Sequence, residues 1–193
     1  MQDFDYVIIG GGCAGLSLAY SLAINDKLSS KSLAIIEPRE KYERDKSWSF
    51  WKTYEHGFDD CVKKSWTQFE IKAEKGIKSH SSSRYPYQCI DSGLFYEKIL
   101  NTLKKNTNIS FFKHKKDIGK NSSIIFNSVI DKQEYSGGLW QHFQGYEIEA
   151  ERDIFDDKVL TLMDFNCDQK DSVHFFYVLP FSPKIALIET TWI

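Results

Sequence analysis

A glycine-rich segment near the start of the chain has the spacing of a phosphate-binding loop. Gly10, Gly12 and Gly15 fit the pattern G-x-G-x-x-G, with Ala14 inside it. Gly10 permits a tight turn, Gly12 lets the backbone approach a pyrophosphate, and Gly15 allows close packing of a helix on a strand. The amide groups at the start of that helix then face the phosphates. These four residues are therefore predicted to bind a dinucleotide cofactor.

Two charged residues downstream are candidates for further cofactor contacts. Glu37 follows an apolar run, where an acid accepts hydrogen bonds from the ribose hydroxyls of an adenosine and disfavours the 2′-phosphate of NADP. The alternative for Glu37 is a solvated charge at the end of a strand. Arg44 is a candidate for contacts with the phosphates or the ribose, and its alternative is an exposed surface position.

The elements that must position this loop are a strand, a helix and a second strand. Residues 4–9 and 33–36 are short apolar runs typical of buried strands, and residues 13 to about 28 carry small and apolar side chains at helical spacing. This order predicts a βαβ unit of a parallel sheet. The N-terminal position of the loop, its three consecutive glycines and the strands farther along the chain favour FAD over NAD.

The remainder of the chain predicts a second, antiparallel layer. Residues 91 to 105 are expected to form a helix, and further strands are expected at 109–114, 124–129, 139–149, 159–165, 173–179 and 185–191. The fold class is therefore α/β, a Rossmann-like FAD/NAD(P)-binding domain with a parallel sheet plus an inserted antiparallel β-sheet substrate domain. The expected divisions are 1–66 (FAD-binding βαβ and following segment), 67–90 (start of the substrate-facing layer), 91–130 (return to the FAD domain) and 131–193 (substrate-domain sheet).

Composition and charge exclude several classes of function. The formal net charge of -2 provides no basic surface for nucleic acid, and no apolar run approaches the ~20 residues of a membrane-spanning helix. The N-terminus lacks the features of a signal peptide. The four cysteines form no C-x-x-C pair and the five histidines are isolated, so neither a disulfide framework nor a metal site is expected. A cytoplasmic protein is predicted.

Several blocks of sequence together resemble one family, the FAD-containing lycopene cyclases of carotenoid biosynthesis, in particular the bacterial β-cyclase type. The blocks are DYVIIGGGCAGLSLAYSL (5–22), DKSWSFW (45–51), QHFQGYEIE (141–149), LMDF (162–165), and FYVLPFS followed by ALIETT (176–191). The glycine loop is shared by many flavoproteins, whereas the later blocks are specific in combination. Members of that family are about twice this length, so the chain is expected to correspond to an N-terminal half and its substrate domain to be incomplete.

The resemblance implies a reaction and its partners. The linear ends of lycopene, or of a related linear carotenoid, would be converted to β-rings by protonation, ring closure of the carbocation and loss of a proton. Reduced FAD would be required without net redox change, with NAD(P)H as the electron donor. Because lycopene resides in membranes, peripheral contact with the inner face of the membrane is expected.

Two carboxyl groups are candidates for the proton transfers that this reaction requires. Glu189 follows an apolar strand and matches an acid that the resemblance implicates in activity, although a solvent-facing strand position is the alternative. Burial would raise its pKa and let it hold a proton near neutral pH. Asp164 is the second candidate, with a turn-anchoring role as an equal alternative. The aromatic rings of Trp48, Phe50 and Trp51 could stabilise a cation, with core packing or a wall beside the flavin favoured instead.

Other functions remain compatible with the sequence. A related FAD-dependent reductase or monooxygenase, acting on an isoprenoid or aromatic substrate, would share the glycine loop and the sheet. A non-catalytic fragment is a further alternative. An NAD-dependent dehydrogenase is the least supported, because no constellation for hydride transfer accompanies the loop.

Overall fold

The structure is a computed structural model that describes residues 1–121, 124–130 and 138–193. Its helices are α1 (Cys13–Ile24) and α2 (Ser92–Leu103). Its strands are β1 (Tyr6–Ile9), β2 (Leu33–Ile36), β3 (Ser47–Trp51), β4 (Val62–Trp66), β5 (Gln68–Ala73), β6 (Gly76–Ser81), β7 (Tyr87–Asp91), β8 (Ile109–Phe112), β9 (Ile124–Asn127), β10 (His142–Glu149), β11 (Val159–Asp164), β12 (His174–Pro180) and β13 (Ile185–Trp192). The expected division at residue 131 lies outside the described residues.

The contacts divide the described residues into two units. The first unit comprises those of Met1–Lys46 and Ser92–Glu134, and the second unit comprises those of Ser47–Asp91 and Tyr135–Ile193. The chain therefore leaves the first unit after Lys46, whereas the sequence places a division at residue 66. Among the described residues there is no helix with both the length and the apolar character needed to cross a membrane.

The first unit contains the predicted parallel sheet, in the strand order β8-β2-β1-β9. Strand β2 is buried at every residue, which explains its uninterrupted apolar sequence. The register pairs Ile9 with Ile36, so the carboxyl ends of β1 and β2 are adjacent. The glycine loop follows the first of these ends and Glu37 follows the second. The βαβ prediction is confirmed, and it brings the loop and the acid together.

Helix α1 is shorter than the sequence indicates. It ends at Ile24 rather than near Leu28, because Asn25 leaves the helical conformation and its side-chain amide donates to the carbonyl oxygen of Ser21 at 2.9 Å. Asp26 then adopts a positive φ of 55°. The apolar periodicity continues beyond this point because Leu28 is buried without being helical.

The second unit contains a large mixed sheet in the order β10-β13-β12-β11-β5-β6 and a small antiparallel sheet in the order β3-β7-β4. The antiparallel pairing of β10, β13, β12 and β11 confirms the prediction for the last third of the chain. Strands β5 and β7 coincide with weakly alternating segments of the sequence around 68–75 and 85–91, whereas β3, β4 and β6 have no such signal. Every residue of β6 is exposed, so its sequence carries no apolar alternation, and β3 pairs with β7, which is distant in the sequence.

The core of the second unit joins these two sheets. Trp66 on β4 packs with Leu160 on β11 and Leu179 on β12, and all three are almost completely buried. The indole Nε1 of Trp66 donates to the carbonyl oxygen of Pro180 at 3.2 Å, so the polar atom of this buried ring is satisfied. The small sheet and the large sheet therefore share one apolar interior.

Removal of a large side chain from this interior should destabilise the second unit. Leu160 is completely buried, so Leu160→Ala is expected to lower the free energy of unfolding by about 2–5 kcal/mol through lost transfer energy and the cavity left behind. Ile77 on β6 is 58% exposed, and Ile77→Ala should change the free energy by no more than ~0.5 kcal/mol. Urea unfolding followed by tryptophan fluorescence measures both, and equal effects would contradict this account of the core.

Candidate functional site

Two glycines of the predicted loop are required by the geometry of the backbone. Gly10 has a φ of +100°, a conformation that side chains with a Cβ rarely adopt. A Cβ on Gly15 would lie 2.0 Å from the carbonyl oxygen of Gly10, so α1 could not approach β1 this closely with any other residue. The turn and the close packing predicted from the sequence are both present.

Gly12 faces open space at the beginning of α1. A Cβ built on it would meet nothing within 4 Å, and its carbonyl oxygen accepts the first helical hydrogen bond, from Leu16, at 3.0 Å. Ala14 is exposed in the first turn. The first amides of a helix have no acceptor within the helix, and the helix dipole is positive at this end. The arrangement can receive a phosphate group against backbone N–H groups.

The carboxylate of Glu37 is fixed beside the loop by two backbone donors. The amide of Gly11 donates to its Oε2 at 2.7 Å, and the amide of Arg39 donates to its Oε1 at 2.9 Å. The Glu37 side chain is 16% exposed. Each carboxylate oxygen can accept more than one hydrogen bond, so this group retains capacity for ribose hydroxyls.

Arg39 is a residue of this site that the sequence analysis missed. One guanidinium nitrogen donates to the carbonyl oxygen of Gly11 at 3.1 Å and lies 3.8 Å from Oε2 of Glu37. The guanidinium carbon lies 4.3 Å from the ring centroid of Tyr42 and 5.3 Å from that of Tyr96. A cation two residues after the strand-end acid was the available signal. Arg39 holds the loop and the acid in one arrangement.

Arg44 lies near the same tyrosines. Its exposed side chain lines a surface depression of about 420 Å³ in the first unit. Tyr42 and Tyr96 line the same depression, together with the start of α2 at Gly93 and Leu94. The assignment of Arg44 to cofactor binding stays a prediction.

The second unit contains a cavity of about 270 Å³ between its two sheets. Strands of the small sheet contribute two serines and a tyrosine to its lining, and the large sheet contributes apolar, aromatic and acidic side chains. The lining residues are Ser47, Ser49, Tyr87, Gln141, Phe143, Tyr177, Leu179, Leu187 and Glu189. This cavity holds the first of the two predicted acids.

Glu189 lies in the interior of β13, flanked by its partners on both neighbouring strands. The register places Gly145 of β10 on one side and Tyr177 of β12 on the other. Strand alternation puts Leu187 and Glu189 on the same face, and both line the cavity. Burial raises the pKa of the Glu189 carboxyl above its ordinary value. The Glu189 side chain is thus partly buried against the cavity, and its catalytic role stays a prediction.

Two phenols accompany this acid. Burial raises the pKa of Tyr87 to about 12, with the nearby groups of Tyr177 and Glu189 adding to the effect. Burial also raises the pKa of Tyr177, and Glu189 contributes in the same direction. Both side chains therefore remain neutral phenols at physiological pH. They present aromatic rings and hydroxyl groups to the space in which the Glu189 carboxyl lies.

The predicted aromatic cluster has a different arrangement. Ser47 and Ser49 of β3 face the cavity, so the alternation of the strand directs Trp48 and Phe50 to its other face. Trp51 packs edge-on against Tyr87, with ring centroids 5.0 Å apart. Trp51 therefore supports the cavity lining through this contact with Tyr87.

Asp164 lies at the end of β11 and does not line the cavity. Its Oδ1 accepts a hydrogen bond from the amide of Asn166 at 2.9 Å, as in the turn-anchoring alternative. The structure therefore does not bring Asp164 and Glu189 together in one lining. Within the described part of the chain, no cluster of three or more His, Cys, Asp or Glu side chains is arranged to hold a metal ion.

His174 is a buried polar side chain on β12, and its ring nitrogens both have partners. Nδ1 lies 2.9 Å from the carbonyl oxygen of Asp168, and Nε2 lies 2.7 Å from the hydroxyl of Thr190. Because a carbonyl only accepts, Nδ1 carries the hydrogen of that bond. The ring is also stacked on Trp192, with centroids 3.5 Å apart. These contacts explain His174 as a structural link between β12 and β13.

Solved structures with the same fold are flavoproteins of several kinds. A flavoprotein/dehydrogenase from Cytophaga hutchinsonii has a TM-score of 0.66 at 15% identity, and the match covers 100% of this chain and 56% of the other. A geranylgeranyl bacteriochlorophyll reductase-like protein from Thermoplasma acidophilum has a TM-score of 0.66 at 10% identity, with coverage of 99% and 57%. A flavin-dependent halogenase from Xanthomonas campestris has a TM-score of 0.65 at 9% identity, with coverage of 100% and 56%. The chain thus spans a little over half the length of these proteins.

A search of curated proteins gave no match. The family model described as lycopene cyclase protein matches residues 5–193. This range includes the glycine loop, Glu37 and the strand that carries Glu189. Because the match extends over nearly the whole sequence, the chain belongs to the lycopene cyclase protein family.

Proposed function

We propose that this protein takes part in the cyclisation of lycopene, or of a related linear carotenoid, to β-ring products. The observation that carries the proposal is the Glu189 carboxyl, whose burial between two sheets raises its pKa. The family match supports the same reaction. The reaction adds a proton to a terminal double bond, closes a six-membered ring and removes a proton from a neighbouring carbon, so the composition of the substrate is unchanged.

Glu189 is proposed to be the group that moves these protons. Its neutral carboxyl donates a proton to the terminal double bond, and the carboxylate so formed accepts the proton released after ring closure, which restores the starting state. A carboxyl with a pKa above its ordinary value is better suited to both directions than a fully solvated one. Asp164 remains a second candidate from the sequence, but its amide-bonded position at a turn supports that role less well.

The cavity is suited to one end of a linear hydrocarbon. Its volume of about 270 Å³ is near the lower limit of pockets for whole small ligands, about 300–1,000 Å³, so it is proposed to take an end group. Leu179, Leu187 and Phe143 provide apolar contacts. The rings of Tyr87 and Tyr177 offer negative π faces to a carbocation, an attraction worth on the order of 0.5–2 kcal/mol for each ring.

FAD is the proposed cofactor, and the first unit has residues that fit it. The open face of Gly12 and the first-turn amides would hold the pyrophosphate, and the fixed carboxylate of Glu37 would hold the ribose. When bound in its reduced form, with NAD(P)H as the electron source, FAD would supply negative charge that stabilises a cation. The flavoproteins of the same fold support this choice.

The location proposed for the protein follows from its substrate. A carotenoid dissolves in lipid, so we propose a cytoplasmic protein that contacts the inner face of the membrane peripherally. Lysines 113, 115 and 116 are exposed or partly exposed near the end of β8 and could approach anionic lipid. Lys113 also pairs with Glu40, so part of this charge is neutralised within the first unit.

A flavin-dependent reductase or oxygenase acting on an isoprenoid chain is the second candidate. It is supported by the likeness in fold to the reductase-like protein of Thermoplasma acidophilum. Reduction or oxygenation would change the mass of the substrate, whereas cyclisation would not. The mass of the product therefore separates the two candidates.

Expression in bacteria that accumulate lycopene tests the proposal. This chain and any longer natural form of it should convert lycopene to a product of unchanged mass and altered chromatographic retention. Glu189→Gln should lower conversion by at least about 100-fold, because general acid–base catalysis commonly contributes factors of 10²–10⁴. Glu151→Gln, which alters an exposed acid, should leave conversion unchanged. Chromatography with mass detection measures all forms.

Two results would contradict cyclisation. A mass change by hydrogen or oxygen would favour the second candidate. Unchanged lycopene in the presence of folded, flavin-containing protein would favour either a different substrate or the non-catalytic alternative, and conversion by a longer natural form alone would select the latter.

The raised pKa of Glu189 also predicts a pH-dependent stability. Because the carboxyl pKa is higher in the folded than in the unfolded state, its favourable contribution is present below about 4.5 and is lost as the pH rises through the folded value. Glu189→Gln should therefore stabilise the protein at pH 7 and raise its melting temperature. The gain in the free energy of unfolding should be less than about 1 kcal/mol, because this group is partly exposed, and there should be no gain at acid pH. Calorimetry at several pH values, with Glu151→Gln as the control, measures this difference. An increase in melting temperature that is the same at every pH would contradict a raised pKa of Glu189 as the cause.

The glycine loop generates a prediction for cofactor retention. Gly15→Ala would place a methyl group 2.0 Å from a backbone carbonyl oxygen, so β1 and α1 would have to separate and the phosphate site would be distorted. The flavin absorbance of the purified protein should fall by at least about 10-fold, equivalent to about 1.4 kcal/mol of binding energy. Gly138→Ala is the matched control, because a Cβ there meets nothing within 4 Å. Equal flavin content in both variants would overturn this assignment of the loop.

A further inference from the structure

Gly145, in the block QHFQG, lies directly beside Glu189 in the large sheet. The antiparallel register pairs the two residues, so both side-chain positions are on the same face. A Cβ built on Gly145 would lie 3.2 Å from Cβ of Glu189 and 3.4 Å from its carboxylate Oε2. It would also lie 3.1 Å from Cδ1 of Leu187. The carboxyl therefore leans toward β10, over the space that a side chain at residue 145 would fill.

The backbone of Gly145 does not itself require glycine. Its φ lies outside the positive range that marks Gly10 and Gly76. Glycine in a strand is less stabilising than alanine, because it loses more conformational freedom on folding and packs no side chain. Interior strand glycines often mark the close approach of another group, and here that group is the carboxyl of Glu189.

The opposite neighbour of Glu189 carries a large side chain. Tyr177 pairs with Glu189 from β12, and its phenol ring lines the same cavity. Leu187 occupies the next position on the same face. The Gly145 side is therefore where the acid can lie while the ring of Tyr177 stays against the cavity.

We infer that Gly145 is a positioning residue for the Glu189 carboxyl, which it lets lie against β10 rather than across the cavity. The inference rests on the proposed function for its consequence in catalysis, although the geometry is independent of it. A methyl group at residue 145 would push the Glu189 side chain, chiefly at its Cβ, by a few tenths of an ångström toward the volume proposed for the substrate end group. The distance between the acid and the reacting carbon would then change while the apolar contacts with the substrate stayed in place.

The kinetic test compares Gly145→Ala with Gly138→Ala in purified protein acting on lycopene in detergent or lipid. Gly145→Ala should lower kcat by about 3- to 10-fold, less than the ~100-fold expected for a misplacement of about 1 Å, because the neighbours need to shift by only a few tenths of an ångström, and it should change KM by less than about 2-fold. The pH profile of kcat should shift as well. Gly138→Ala should match the wild type in every quantity. Equal kinetics for the two variants would overturn the inference.

A spectroscopic test separates this inference from the proposed function. Carbon-13 labelling of glutamate side chains, with Glu189→Gln to assign the signal, allows the Glu189 carboxyl to be titrated by NMR without any substrate. In Gly145→Ala the signal should move and its pKa should rise further, because the added methyl group displaces water from the carboxyl. An unchanged signal would overturn the role of Gly145. Absence of cyclisation in the wild type, with a changed signal in the variant, would overturn the function alone.

If Gly145→Ala does not fold, the NMR test can be made in a second background, Leu187→Ala. Leu187→Ala removes the contact that the new methyl group would make at 3.1 Å, so only the contacts with Glu189 remain. The comparison of Gly145→Ala/Leu187→Ala with Leu187→Ala then isolates the effect on the acid. The same shift of the Glu189 signal is expected, and its absence would again overturn the inference.

Discussion

A partly buried carboxyl group needs both space and shielding from water, and the second unit provides both through strand register. Glu189 lies on an interior strand, so its neighbours are fixed by the pairing of β13 with β10 and β12. One neighbour is the glycine that leaves room for the acid, and the other is the tyrosine that shields it. A slip of one residue would turn Glu189 to the other face of the sheet and separate it from the cavity. The extended pairing of β10, β13 and β12 is the device that prevents such a slip.

The first unit also contains a glutamate with a fixed position, Glu37, but its surroundings are polar. Glu37 lies where a parallel strand ends, and two backbone amides determine the position of its carboxylate. Arg39 then links this acid to the carbonyl oxygen of Gly11. Glu37 is thus held by hydrogen bonds as a fixed acceptor, whereas Glu189 is surrounded by rings and apolar side chains. Under the proposed function, Glu37 would therefore bind the cofactor and Glu189 would transfer protons.

The sequence predicts those parts of the site that depend on neighbouring residues. The turn at Gly10 and the packing at Gly15 follow from a six-residue pattern, and the face of Glu189 follows from alternation along one strand. The residues that line the cavity cannot be predicted from local sequence. Tyr87 and Ser49 belong to strands of the small sheet, which meets β12 and β13 only through tertiary packing. Asp164 shows a different limit. An acid at a strand end has the same local sequence whether it anchors a turn or moves a proton, and only the contact with Asn166 distinguishes the two.

Fold alone does not select among the reactions known for flavoproteins of this architecture, since the same arrangement of strands and helices occurs in proteins described as a dehydrogenase and as a halogenase. The selection has to come from the side chains that meet the substrate. Among the described residues that line the cavity, Glu189 is the one carboxyl, and the phenols near it remain neutral. An isomerisation through a carbocation needs one group that gives a proton and takes it back, together with surroundings that do not capture the cation. Under the proposed function, Glu189 would be that group, and the rings of Tyr87 and Tyr177 together with Leu179 and Leu187 would face the cation.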